Sequence, residues 1–399
     1  MPGAAPAGID RLRGRGVVRD VDEPFRPATP LELFFDLTVV VAVSRAAAAL
    51  HDELSEGNVV DGIAGFVAVF FAVWWAWMNY TWFASAHDSD DVPHRFLTLV
   101  QMAGALVLAA GVSDALEYGD WLVVTIGYVI MRVGLVTSWL RVARDAPEVR
   151  ARSVRYALGI SALQALWLLR LALPTDWGWL AFVVLVACEL AVPVWAERAW
   201  LRPIFHPRHI DERYGLFTII VLGESVLSAA TGFQTALDEG GLTPELLAVG
   251  LGGLVLAFTA WWLYFDHPGH LTPSPSEAFR WGYAHVVIFA ALAAMGAGLH
   301  VATEAVTGDA GARVAAMAVA VAVAGYLLGL VLVMLVTGAP VRSSLIYPKL
   351  VGATAILLLG ALAPVAMAVA GSAAVMVVLA GWMVVSTGDR PDEAVRQAV

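Results

Sequence analysis

Apolar residues run through this chain in blocks of about 20, the length a helix needs to cross hydrocarbon, divided by short stretches where Pro, Gly and charged residues gather. The blocks predict twelve helices: residues 30 to 50, 59 to 83, 95 to 117, 120 to 141, 153 to 173, 178 to 200, 213 to 233, 244 to 265, 278 to 302, 313 to 336, 343 to 363 and 366 to 386. Only a tight turn near Pro364 parts the last two. Backbone crossing lipid must satisfy its own polar groups, and helices do so within each segment. The expected fold is therefore all-α, a polytopic membrane bundle of about twelve helices.

Composition agrees. Of 399 residues, 59% are hydrophobic and 15% charged, and the mean hydropathy is +0.74, outside the range of soluble domains. Residues 1 to 29 form a Gly/Pro/Ala-rich tail bearing Arg11, Arg13, Arg15, Arg19 and Arg26, without the apolar core and cleavage site of a secretory signal. Residues 388 to 399 form a second tail. The single cysteine, Cys188, excludes an intramolecular disulfide and a cysteine-based metal cage.

The net charge of -10 divides unevenly. Twenty of the 24 Lys and Arg fall in the tails, the even-numbered loops and the adjoining helix ends, whereas stretches such as His51-Asp52-Glu53-Leu54-Ser55-Glu56 are acidic outer loops. By the positive-inside rule both termini face the cytoplasm of a bacterial plasma membrane. The acidic outer loops account for the negative sum, so no nucleic-acid partner is expected; the partners are the lipid bilayer and a small ion or solute, and the oligomeric state is left open.

Some polar positions inside the blocks break the pattern. In Pro30-Leu31-Glu32-Leu33-Phe34-Phe35-Asp36-Leu37, Asp36 follows Glu32 by four residues, so both carboxylates share one helix face. Charge held in hydrocarbon costs a few kcal/mol by insertion scales, so that face meets protein, water or a ligand. Pro-Leu-Glu-Leu-Phe-Phe-Asp-Leu resembles the opening of the bacterial low-temperature-requirement A (LtrA) family. A second block, Glu212-Arg213-Tyr214-Gly215-Leu216-Phe217-Thr218-Ile219-Ile220-Val221-Leu222-Gly223-Glu224-Ser225, is similar to that family's other characteristic segment. Trp74-Trp75-Ala76-Trp77-Met78-Asn79-Tyr80 and the Asp-Asp-Val-Pro-His-Arg run at 90 to 95 also fit. The resemblance implies a membrane protein linked to low-temperature growth, with Glu32, Phe35, Asp36 and Glu224 at signature positions, and implies no reaction.

The chain also matches itself. A shift of 180 lays Glu32 on Glu212 and Thr38 on Thr218, and a shift of 187 lays Trp74-Trp75 on Trp261-Trp262. This suggests two parallel six-helix halves, 30 to 205 and 206 to 387.

Glu224 lies twelve residues beyond Glu212, about 18 Å deeper along a helix, beside Gly223, which admits a close neighbour. It reads as an ion or proton site, or as a carboxyl paired to lock helices. Arg132 and Glu189 fall mid-span; the arginine needs a carboxylate, with Glu189, Glu224 and Asp36 at comparable depth, or else binds an anion. Asn79 bonds a neighbouring helix or lines a polar path. Arg45 and Arg170, near outer ends, are expected to snorkel, and the Trp74-Trp75-Trp77 cluster and its mate Trp261-Trp262 to belong to an interfacial belt with Trp121, Trp177, Trp179, Trp195, Trp200 and Trp382.

His285 and His300 fall in one span; His300 and Glu304, one turn apart, are by themselves a weak metal signal, since zinc wants three or four ligands, and His267 and His270 read as a solvated turn. No hydrolase, P-loop or dinucleotide motif is present, so no enzyme and no cofactor is expected. Two functions remain: a secondary transporter or channel for a proton, cation or small solute using the buried carboxylates, or a non-transporting protein of membrane adaptation whose charges are structural pairs.

Overall fold

The computed structural model describes residues 18, 19, 23, 26–198, 205–266, 275–308, 311–337 and 343–387. The two tails, apart from a few residues near 19 to 29, lie outside the described residues, as do His267, His270, Trp200, Arg342, Arg390 and Arg396. Every regular element among the described residues is helical: α1 Pro30–Ser55, α2 Val59–His87, α3 Val92–Ala110, α4 Val112–Glu117, α5 Leu122–Asp145, α6 Arg150–Arg170, α7 Thr175–Glu197, α8 Pro207–Gly240, α9 Pro244–Phe265, α10 Pro275–Thr307, α11 Ala312–Val336, α12 Ser343–Leu362 and α13 Val365–Thr387, with one 3-10 turn, Pro147–Val149, between α5 and α6.

All twelve expected blocks are helical, and eleven of the helices are long and apolar enough to cross a membrane. The twelfth, α6, has the length of a span but opens on Arg150, Arg152 and Arg155 and ends on Arg170, which keeps its hydropathy down. The block at 95 to 117 is two helices, because the chain breaks at Gly111 between α3 and α4. A Cβ there would stand 2.6 Å from that of Val123, so the start of α5 requires glycine at the break. Helices also run further than expected. α1 takes in His51 to Ser55, which the sequence assigns to an outer loop, and α8 begins at Pro207, which takes His209 and Glu212 into the helix ahead of Arg213.

Local chemistry fixes several starts. Asp91 caps α3, accepting from the His94 N–H at 2.8 Å with proline in the first turn, and Thr243 caps α9, accepting from the Leu246 N–H at 3.1 Å. Leu180, Val183, Leu227, Phe258, Val351 and Leu362 lie exposed along the spans, as apolar residues do where lipid is the solvent.

The chain forms two compact units. The first contains residues 1–46, 68–214 and 273–275; in it α3 packs along α5, α5 along α6, and α6 along α7. The second contains residues 47–67, 215–272 and 276–399; there α11 packs on α12, α9 on α13, and α12 on α13. The helices α1, α2 and α8 each contribute one stretch to either unit.

Candidate functional site

The first turn of α1 closes on itself. Glu32 N–H donates to Thr29 Oγ1 at 3.2 Å, and the Glu32 carboxylate accepts from the Thr29 N–H at 2.8 Å, a reciprocal capping box. The box fixes the Glu32 carboxylate, and one turn on the same face carries Asp36. Neither side chain has any solvent exposure.

Arg213 of α8 lies between them. Its Nη1 is 3.0 Å from Glu32 Oε1, its Nη2 donates to Asp36 Oδ1 at 2.5 Å, and its Nε donates to Asp36 Oδ2 at 3.2 Å. Trp77 of α2 donates its indole N–H to Asp36 Oδ1 at 2.7 Å. The His209 ring nitrogen Nε2 lies 3.2 Å from Glu32 Oε1. Apolar packing closes the cluster: Phe35 against Tyr80, with ring centroids 3.9 Å apart, and Trp77 edge-on to Tyr214 at 4.9 Å. Arg26, just before α1, is also buried and donates to the Ala84 carbonyl at 2.6 Å. Burial holds the Arg26 guanidinium below the usual arginine range, against the opposing pull of the Glu32 charge. Two carboxylates, two guanidiniums and an imidazole thus gather at one end of α1, all within the first unit.

A second buried centre in this unit forms around Glu189 of α7. It accepts from the indole N–H of Trp75 at 2.8 Å and of Trp167 at 3.1 Å, from the Tyr128 hydroxyl at 2.9 Å and from the Gln164 amide at 3.3 Å. Arg132 of α5 stands 3.7 Å away and donates to the Tyr128 oxygen at 2.5 Å. Of the carboxylates at its depth, Arg132 therefore takes Glu189 as partner.

The remaining expected site residues are placed elsewhere. Glu224 is half-buried on α8 in the second unit, and Gly223 beside it faces open space rather than a packed helix. Nearby in that unit a cavity of about 400 Å³ is lined by Ser225, Phe233, Met295, Leu299 and Thr303. Asn79 is half-buried and donates its amide to the Trp75 carbonyl of its own helix at 2.7 Å. Glu212 is exposed and accepts from the Ala28 N–H at 3.3 Å.

Two expectations about the interface are corrected. Trp74, Trp75 and Trp77 are core residues, no more than 1% exposed, and the indoles of Trp75 and Trp77 serve the buried carboxylates; their repeat mates Trp261 and Trp262 are exposed. Arg170 does not snorkel. It is buried, donates to the Gly178 carbonyl at 2.9 Å and lies over the rings of Trp121, Trp167 and Phe182. Arg45 remains exposed and reaches Ser113 at 3.2 Å.

Sequence reasoning missed Arg213 and His209, because a cationic residue close to a span's inner end is the usual product of the positive-inside rule. The available signal was position: Arg213 directly follows Glu212 in the second family-like block, and His209 precedes it by four residues, on one helix face.

The chain is 28% identical over 251 residues to the uncharacterized protein RA0937 of Rhizobium meliloti (strain 1021), a match covering 60% of this chain and 58% of that one. The chain thus spans a little over half the length of this curated relative. Residues 27–386, from just before the Thr29–Glu32 box to the end of α13, match the family described as bacterial low temperature requirement A protein (LtrA). With both charged blocks and every membrane-length helix inside that match, the chain belongs to the LtrA family of membrane proteins.

Proposed function

We propose that the protein is a secondary transporter or channel for a proton, cation or small solute, and that charge is exchanged at Glu32 and Asp36. The observation that carries this reading is Arg213 bound to both carboxylates with no exposure at any of the three side chains. Apolar residues of similar volume hold helices together as well as a buried ion pair does, or better. Ionisable groups kept inside membrane helices despite that cost mark ion pathways. Protonation or cation binding at either carboxylate loosens its hold on Arg213, and the His209 ring nitrogen Nε2 stands 3.2 Å from Glu32 Oε1. Glu224 in the second unit is a further ion-binding candidate, and Arg132 with Glu189 balances charge. Acids outnumber arginines among these positions, which favours cations over anions.

The Lys and Arg distribution supports a cytoplasmic-membrane location with both termini inside. Two parallel six-helix halves provide the architecture for alternating access by rocking. No covalent chemistry, cofactor or nucleic-acid partner enters this reading.

A second reading is a non-transporting protein of membrane adaptation, in which the cluster locks helices. It is favoured by the complete engagement of Asp36, whose two oxygens accept from Arg213 and Trp77 with no water access. Flux separates the two. Purified protein in liposomes carrying a pH-sensitive dye, tested with Na⁺ and K⁺ gradients, is expected to move protons or cations, and Asp36→Asn and Glu32→Gln to stop the flux in protein that still folds. Flux equal to that of empty liposomes, with both variants merely less stable, assigns the cluster to the second reading.

A further inference from the structure

At the far end of α1 the fold supplies what the sequence lacked at His300 and Glu304. His51, extended into α1 beyond its expected limit, stacks on His300 of α10 with ring centroids 3.9 Å apart and an interplanar angle of 22°. Its Nε2 lies 2.8 Å from Glu304 Oε1, and His300 Nε2 lies 3.9 Å from the same oxygen. One ligand atom from each of the three residues falls within 4.8 Å of the others. All three belong to the second unit.

We propose that His51, His300 and Glu304 form a binding site for a divalent transition-metal ion of the zinc class, an inference independent of the proposed transport function. The spacing comes within reach of one ion when the His300 ring turns out of its stack on His51: a tetrahedral ion with bonds of about 2.0–2.1 Å sets its ligand atoms about 3.4 Å apart, the separations from Glu304 Oε1 are 2.8 and 3.9 Å, and all three ligand atoms lie within 4.8 Å of one another. The donor set fits, since two imidazoles and a carboxylate leave the fourth position open for water or substrate.

The surrounding hydrogen bonds also fit. Asp52 Oδ1 lies 2.9 Å from His51 Nδ1, the carboxylate–histidine arrangement that places the proton on Nδ1 and frees Nε2 as a ligand. In that tautomer the Nε2 lone pair is directed at Glu304 Oε1, 2.8 Å away. The Ser55 hydroxyl donates to the other oxygen, Oε2, at 2.8 Å and so presents Oε1 inward. His300 is seated from behind by Gly232, where an added Cβ would stand 2.4 Å from the ring. The cluster remains reachable: His51, His300 and Glu304 are 12%, 22% and 27% exposed.

Metal content tests this directly. The full chain, purified in detergent, stripped with a chelator, equilibrated with Zn²⁺ and desalted, is expected to retain one zinc per chain. With Co²⁺ substituted, the intense visible bands of a tetrahedral nitrogen and oxygen site are expected. His51→Ala and Glu304→Gln each lower the affinity at least tenfold, the scale of a lost ligand, whereas Glu56→Gln on the exposed neighbouring turn leaves it unchanged. The proposal is overturned if wild-type protein retains no zinc after desalting, or if either ligand variant holds it as tightly as wild type. Should a variant not fold, the wild-type stoichiometry and cobalt spectrum decide alone: retained metal with tetrahedral bands supports the site, and absent or octahedral cobalt refutes it.

Discussion

Arg213 binds Asp36 across 177 residues of sequence, Nη2 to Oδ1 at 2.5 Å, with neither side chain exposed. Removing one partner of such a pair leaves the other charge buried and uncompensated, which costs about 3–5 kcal/mol. Arg213→Ala is therefore expected to destabilise severely, read as loss of monodisperse protein or a large fall in melting temperature in detergent. The triple variant Glu32→Leu, Asp36→Leu, Arg213→Met removes all three charges together and is expected to regain most of that loss. It also tests the transport reading, because a carrier that exchanges charge at Glu32 and Asp36 loses its flux in this variant although the fold is kept. A triple variant no more stable than Arg213→Ala would show that the charges are not what sets the cost.

Glu189 holds four neutral donors and one arginine, so its charge is the hub of the second centre. A hydrogen bond to a charged group contributes about 1.5–3 kcal/mol. Trp75→Phe, which removes one donor and little volume, is expected to cost that amount. Glu189→Gln leaves Arg132 without its carboxylate and turns one acceptor oxygen into a donor facing other donors, so it is expected to cost more, about 3–5 kcal/mol. The two melting temperatures, compared in the same detergent, check the order; equal losses would mean that Arg132 is satisfied without Glu189.

What the sequence disclosed and what it concealed follow the distance over which each signal acts. The helices were legible because hydropathy is local, and so was the shared face of Glu32 and Asp36, fixed by a spacing of four. The need for glycine at position 111 was not, since it answers to Val123 on another helix. Trp77 and Trp261 look alike in sequence, each near a span end, yet one is buried against Asp36 and the other is exposed. The difference lies in the neighbouring helix, and no periodicity within α2 or α9 records it. His51 read only as part of an acidic outer loop for the same reason: the residues it meets in the fold lie some 250 positions along the chain.

Asp91 gives a pH dependence. Burial pushes its carboxyl up, but the hydrogen bond from Arg141, the His94 N–H at 2.8 Å and the Ser89 hydroxyl at 2.8 Å outweigh it and hold the group below the usual aspartate range. A carboxyl depressed in the folded state contributes stability that is complete above its unfolded pKa of about 3.9 and is lost as pH falls through the lower folded value. Wild-type protein is therefore expected to lose stability as pH falls below about 4. Asp91→Asn keeps the cap on α3 but not the pair with Arg141, so it is expected to be less stable at pH 7 and to show a shallower fall on acidification. Melting temperatures of both proteins between neutral and acidic pH measure this; parallel curves would remove Asp91 from the account.

The packing of α3 on α5 makes a steric prediction that involves no charge. Gly104 of α3 and Gly127 of α5 face one another, so that a Cβ on Gly127 would stand 2.2 Å from the backbone nitrogen of Leu108 and one on Gly104 would stand 2.6 Å from that of Met131. The obstructing atoms are backbone, which cannot move aside as a flexible side chain can. Small residues at such crossings let helix backbones approach closely in membranes. Gly127→Ala must therefore separate the two helices, and overpacking of this kind costs about 1–3 kcal/mol or more. Gly223→Ala, facing open space on α8, is the matched control and is expected to be neutral or slightly stabilising, since alanine restricts the unfolded chain. Melting temperatures of the two variants in one detergent decide the matter, and a Gly127→Ala protein as stable as wild type would mean that α3 and α5 are not held at this distance.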